Sequence, residues 1–369
     1  MARQFQTIQQ VEDFWYGQDS EITQADAPFL TSTTAALNKV YGAKVWAQLN
    51  QTANTWGFLP KYPYRNGGFR VLTARAASAG GGIAEAANVP ETIKPTFALV
   101  APAQKEVTHT FEISFKLDAI TASEDDAIGF DELQSQMATH HAEMLNKMLW
   151  TDNDTLAGNN IESIDRIVGS YSEIDGGSQT AGDLDIYGLD RDASASWADA
   201  FVDHASADRD LTDAIVRGLI ENTVENGAYA QGQVWVTGTD TWSRITGLYQ
   251  SQVRYNPIGE ATVQPSVNGI QTQEGANFGV QVATLYYRPV VVDKDVPKDT
   301  ISRLYLLDIS DPTSSGRPRL GIQVLTPTMY FETKSPFEAG RFTRIGAYYT
   351  AAETICTFFA AQGKARDLK

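Results

Sequence analysis

The chain has 369 residues, 42% of them hydrophobic, which is enough to bury roughly two or three compact cores. Its 45 acidic residues outnumber its 29 basic ones and give a formal net charge of −16, which argues against a nucleic-acid groove built from clustered lysine and arginine. The single cysteine, Cys356, excludes an internal disulfide framework, and the sequence contains no apolar run long enough to span a membrane.

Residues 1–55 are polar with isolated apolar positions, which is typical of an arm that docks on a surface. Residues 56–118 are interpreted as an extended loop. Its two predicted strands, 69–75 and 107–117, are separated by a long excursion and are expected to form a hairpin-like loop. The three consecutive glycines at 80–82 predict a mobile tip.

The next stretch predicts a long helix over residues 130–150, because apolar residues recur at steps of three and four without glycine or proline. At a rise of ~1.5 Å per residue the helix would be about 30 Å long, enough to cross a domain. Acidic residues precede it, where the helix dipole favours them. The apolar seam consists of Phe130, Leu133, Met137, His141, Met144 and Met148, widened by Leu145 and Leu149.

The remainder predicts a mixed α/β region followed by a run of strands. A helix over 210–226, a strand over 233–237 and a capped helix over 239–249 form an α/β unit. The further predicted strands are 278–287, 289–293, 303–308, 321–325, 329–332, 342–350 and 354–359.

Short motifs of the common enzyme classes do not occur in the sequence, and it has only four histidines. Adjacent His140 and His141 would point about 100° apart on a helix, so they are interpreted as helix-face or core residues rather than metal ligands. The segment from Asp183 partly resembles a calcium loop through Asp183, Asp185 and Asp190. It lacks the bidentate glutamate, so an acidic surface loop is favoured and no cofactor is expected.

The order of these parts resembles the Hong Kong 97-like fold, an α+β fold used by major capsid proteins of tailed double-stranded DNA viruses and by encapsulin shells. The resemblance covers nearly the whole chain and rests on order and pattern, since no short motif is diagnostic. It implies an arm at 1–55, an extended loop at 56–118, a peripheral domain at 119–160 and 301–369 with a spine helix at 130–150, and an axial domain at 161–300.

The resemblance implies a structural, non-enzymatic subunit that assembles through pentamers and hexamers into an icosahedral virion shell in the host cytoplasm. The shell would enclose double-stranded DNA without sequence-specific binding, and portal, minor or cementing proteins would be its partners. Because the extended loop begins soon after Met1, scaffolding is expected from a separate protein or a short N-terminal piece. The residues expected to contact neighbouring subunits are Arg3, Phe5, Phe69, Arg70, Arg75 and Glu85.

Some members of the family cross-link a loop lysine to a peripheral-domain asparagine. Lys94 could supply the lysine, but Asn277 is the last asparagine in the chain, so no such bond is expected.

Three questions stay open at this stage. The acidic balance fits either ordinary solubility or adaptation to a salt-rich host, where salt screens self-repulsion. The same fold could form an encapsulin-like compartment around an enzyme. A β-rich carbohydrate-active enzyme, with paired carboxylates as acid and base, is the alternative from another class.

Overall fold

The computed structural model describes residues 54–65, 67–76, 85, 94–121, 129–152, 158–175, 185–189, 191–192, 196–205, 207–249, 284–312, 316–333 and 342–369. Nearly all of the predicted arm, with Arg3 and Phe5, lies outside these residues, as does the glycine-rich tip of the loop. Within the described part of the chain, no helix is both long enough and apolar enough to cross a membrane.

Seven α-helices and twelve strands are found among the described residues. The helices are α1 (Asn54–Phe58), α2 (Phe115–Thr121), α3 (Phe130–Leu149), α4 (Ile164–Ile167), α5 (Tyr171–Asp175), α6 (Asp213–Glu225) and α7 (Thr239–Tyr249). The strands are β1 (Lys61–Pro63), β2 (Phe69–Ala76), β3 (Lys94–Val100), β4 (Lys105–Ser114), β5 (Phe201–Asp203), β6 (Gln233–Thr237), β7 (Thr284–Leu285), β8 (Arg288–Val292), β9 (Leu304–Asp308), β10 (Leu320–Glu332), β11 (Thr343–Cys356) and β12 (Gly363–Ala365).

Three sheets organise these strands. A four-stranded sheet has the order β1-β10-β11-β4, a six-stranded sheet has the order β5-β12-β9-β6-β8-β7, and β2 pairs with β3 alone. The chain divides into two compact units. Among the described residues, the first unit contains 107–144 and 326–350, and the second contains 54–106, 145–325 and 351–369.

The first unit packs helices α2 and α3 against strand residues of β4, β10 and β11. Phe111, Ile113, Leu117, Phe130 and Leu133 form its buried cluster, and the rings of Tyr330 and Tyr348 pack on it. Gly346 lies so close to Phe111 that any Cβ would overlap the phenyl ring, so only glycine fits there.

The core of the second unit lies between the six-stranded sheet and helices α6 and α7. Strands β6 and β9 are buried along their whole length, as expected for interior strands covered on both faces. The core cluster includes Leu219 of α6, Trp235 of β6, Ile245 of α7 and Leu306 of β9.

The long helix α3 confirms the prediction within one residue, and β6 and α7 match their predicted ranges. The predicted strand 107–117 is wrong at its end, because β4 stops at Ser114 and helix α2 follows. The Ser114 Oγ accepts a hydrogen bond from the Leu117 N–H at 3.3 Å, and serine in this position favours helix initiation.

The predicted pairing of the extended loop is also wrong. The partner of β2 is β3, which sequence patterning missed because Pro95 lies within it, and β4 belongs to the four-stranded sheet instead. Strand β12 was missed too. Asn146, which is not part of the predicted apolar seam of the long helix, is fully buried and donates from Nδ2 to Asp293 Oδ2 at 3.1 Å.

Candidate subunit-contact surface

Strands β2 and β3 form an antiparallel two-stranded ribbon within the second unit. Arg70 lies opposite Leu99 and Leu72 lies opposite Phe97. Residues directly opposite each other, and residues two apart on one strand, point to the same side of a sheet. These four residues therefore share one face, which we call the ribbon face.

The ribbon face is apolar and open to solvent. Leu72 is 40% exposed, Phe97 60% and Leu99 66%, and Arg70 is also exposed. A two-stranded sheet has no second layer of its own and is marginal in isolation. Large apolar side chains grouped on such a surface are typical of a site that a partner covers.

The opposite face and the base of the ribbon are better covered. Phe69, Val71 and Ala98 are half-buried and Val100 is fully buried. At the base, a Cβ on Gly68 would lie 2.6 Å from the Val100 carbonyl oxygen, so the two strands can approach here only because residue 68 is glycine.

The predicted contact residues fall in different places. Arg70 lies on the ribbon face and Glu85 is exposed, whereas Phe69 is half-buried beside Tyr62 and Arg317. Arg75 belongs to β2, opposite Pro95. Their contact roles remain predictions. The sequence analysis did not predict Leu72, Phe97 and Leu99 as contact residues. The alternation of Phe97 and Leu99 is typical of a strand with one apolar face and could have indicated them.

A second exposed apolar group lies in the first unit. Met329 and Phe331 alternate along β10 with Tyr330, whose ring instead packs on the buried cluster, and Phe342 is exposed just before β11. The ring of Tyr349 lies 6.3 Å from that of Phe331. One side of these strands thus supports the core and the other presents apolar side chains.

A polar chain crosses the first unit beside its apolar core. His109 Nδ1 lies 2.7 Å from His141 Nδ1, and His141 Nε2 lies 2.8 Å from Thr350 Oγ1. Thr350 Oγ1 in turn lies 2.8 Å from Thr328 Oγ1. Burial, together with the neighbouring imidazoles of His109 and His140, lowers the pKa of His141 to about 4. Both linked imidazoles are therefore neutral at physiological pH, one donating and the other accepting.

A buried ionic network holds the second unit together. Asp165 pairs with Arg303 at 2.7 Å and with Lys364 at 3.2 Å, and the Tyr305 hydroxyl donates to it at 2.6 Å. Glu173 pairs with Lys364 at 3.1 Å. Charges this deeply buried are stable only when paired. The network therefore explains why such polar residues occur in a core.

The candidate calcium loop is only partly described, because Asp183 and Asp190 lie outside the described residues. The backbone carbonyl of Asp185 accepts a hydrogen bond from the Arg166 guanidinium. Across the described residues, no group of three or more histidine, cysteine or acidic side chains is arranged to hold a metal ion. Cys356 is a buried free thiol whose pKa burial raises to about 12.

No family profile matches the sequence, and no curated protein matches it. Solved structures do match. The capsid of a native GTA particle, computed with C5 symmetry, aligns with a TM-score of 0.55 at 14% identity and covers 87% of this chain and 92% of that chain. The cyanophage A-1(L) capsid aligns with a TM-score of 0.56 at 14% identity, over 85% and 92% of the two chains.

The mature capsid of bacteriophage PhiM1 aligns over 96% of this chain and 98% of that chain, with a TM-score of 0.50 at 11% identity. Likenesses this extensive establish the fold. The chain has the α+β Hong Kong 97-like fold that its sequence predicted, shared along most of its length with capsid proteins of phages.

Proposed function

We propose that this chain is the major capsid subunit of a tailed virus. Copies of it assemble through pentamers and hexamers into an icosahedral shell around double-stranded DNA. Support comes from the shared fold together with the ribbon face, an exposed apolar surface that the ribbon's own two strands do not cover. A fold can host several functions, so the open surface is the observation that carries the proposal toward assembly.

In this proposal the ribbon face packs on a neighbouring copy. Burial of apolar area stabilises by about 25 cal/mol per Å², and a shell repeats each contact many times, so a modest contact per subunit suffices. The net charge of −16 suits a container that encloses DNA without binding its phosphates tightly. In this proposal the mature subunit resides in the virion, a portal protein is one of its partners, and scaffolding comes from a separate protein or a short N-terminal piece.

The decisive measurement is the particle mass of the purified chain, by light scattering and negative-stain microscopy, from low to multimolar salt. Large hollow particles support the shell. Their persistence only at high salt would also support adaptation to a salt-rich host, since screening would then be required for assembly. A monomer or small oligomer at every salt concentration, even with a scaffolding partner, would contradict the proposal.

The contents of particles isolated from a natural source then distinguish two uses of one fold. Double-stranded DNA identifies a capsid, whereas a small particle holding a bound enzyme identifies a compartment.

A further inference from the structure

The second unit is completed by an interior strand that comes late in the chain. Strand β12 lies between β5, which it pairs with in parallel, and β9, which it pairs with in antiparallel orientation. Every other strand of that sheet precedes it in the sequence. Until β12 is inserted, β5 and β9 therefore lack the strand that joins them.

The residues that follow β12 extend the same attachment. The Arg366 N–H donates to the Asp203 carbonyl at 3.1 Å, and the Ile301 N–H donates to the Leu368 carbonyl at 3.1 Å. The Leu368 side chain is fully buried in the core cluster of the second unit. Residues 363–369 are thus hydrogen-bonded to neighbouring backbone on both sides.

The same segment places two positively charged side chains in the core. Lys364 is fully buried, with Nζ 3.2 Å from Asp165 Oδ1 and 3.1 Å from Glu173 Oε1. Arg366 Nη1 lies 2.9 Å from Glu173 Oε1. Both carboxylates are fully buried. Burial alone would raise the pKa of Glu173, but Lys364 and Arg366 outweigh it and hold that pKa below its ordinary value.

We infer that residues 363–369 are a closing element, whose insertion completes the second unit and neutralises carboxylates placed earlier in the chain. Removing a cation from a buried ion pair is among the most damaging single changes, because the remaining charge is desolvated. In a chain without its closing element, β5 and β9 of the second unit therefore remain unpaired on the sides that β12 would occupy. If the proposed function is right, such a chain should also be excluded from a shell. The insertion of the closing element does not depend on the proposed function.

The test is hydrogen exchange of the β6 amides, since β6 does not pair with β12. A chain ending after Gln362 and the full-length Lys364→Met variant should both exchange about 100-fold faster than the unaltered chain. Lys369→Met removes the same charge from an exposed position and should change nothing. Adding Glu173→Gln to Lys364→Met should slow exchange again by about tenfold, since it removes a buried charge.

A synthetic peptide of residues 362–369, added to the shortened chain, should restore protection of the β6 amides. The same peptide with Lys364→Met should not. The inference would be overturned if the β6 amides of the shortened chain kept native protection. It would also be overturned if both peptides restored that protection equally, or if neither peptide restored it. Particle formation by the unaltered chain is measured separately. The hydrogen-exchange result can therefore be interpreted even if the chain forms no shell.

Discussion

Leu72 and Phe97 lie directly opposite each other across the two-stranded ribbon, and both side chains point into solvent. Cross-strand apolar pairs stabilise sheets when they are covered. Here the pair is exposed in the single chain and adds little to its stability.

The first prediction concerns this pair. Phe97→Ser should change the free energy of unfolding of the subunit by only about 0.5 kcal/mol, because the ring is already exposed, yet it should abolish or strongly reduce particle formation. Chemical denaturation and light scattering measure the two effects. Leu248→Ser is the control, since Leu248 is as exposed as Leu72 but lies on helix α7. Normal assembly by Phe97→Ser would show that the ribbon face is not part of the interface between subunits.

The second prediction concerns acid. The pKa of His141 is about 4 in the folded chain against an ordinary 6.5, so below pH 6.5 the unfolded chain binds more protons than the folded one. The contribution of His141 to stability should fall by about 1–3 kcal/mol as pH drops from about 6.5 to about 4, with no further loss from this group below that. Protonation would put a hydrogen on both ring nitrogens of His141, so His109 Nδ1 could then only accept at their contact.

Thermal melts across pH measure this effect. Over the range from pH 6.5 to about 4, His141→Phe should lose about 1–3 kcal/mol less stability than the unaltered chain, whereas His204→Gln, in the second unit, should follow the unaltered chain. An unchanged pH dependence in His141→Phe would assign the acid sensitivity to other groups.

The third prediction has the opposite sign. Burial raises the pKa of Glu353 from 4.5 to about 8, so between these values the folded chain binds more protons than the unfolded one. Its contribution to stability is complete below pH 4.5 and is lost as pH rises to about 8. Glu353→Gln resembles the protonated acid and should stabilise the chain at pH 8 by about 2 kcal/mol or more.

Denaturant titration at pH 5 and pH 8 checks this. The gain should be confined to the higher pH, and Glu106→Gln, at an exposed position of β4, serves as the matched control. A destabilised Glu353→Gln chain at pH 8 would show that the charged form is the one the fold prefers.

The fourth prediction uses two glycines in contrasting surroundings. Gly346→Ala should destabilise the chain by about 1–3 kcal/mol, because the new methyl group would overlap the Phe111 ring. Gly218→Ala, inside helix α6 with open space around the position, should stabilise it by up to about 1 kcal/mol. Melting temperatures of the two variants should therefore move in opposite directions from that of the unaltered chain.

Long periodic segments were predicted well from the sequence. Helix α3 carries the helical period along its length, and strand β6 is a short apolar run between two glycines. The ribbon was predicted with the wrong second strand, because Pro95 concealed β3 and left 107–117 as the one predicted strand that could pair with β2. Strand β12 was missed because Lys364 and Arg366 look like surface residues in the sequence, and only their buried acidic partners make that strand possible.

The amino-acid sequence by itself determined the α+β class, the order of the elements and the long helix, since these depend on local periodicity and end signals. The tertiary structure alone decided which strands pair, which faces stay open and which charges are buried. Those features depend on contacts between residues far apart in the chain, such as Asp165 with Lys364 and Leu72 with Phe97. Pairing energies of that kind are set by burial and geometry, which no short window of sequence contains.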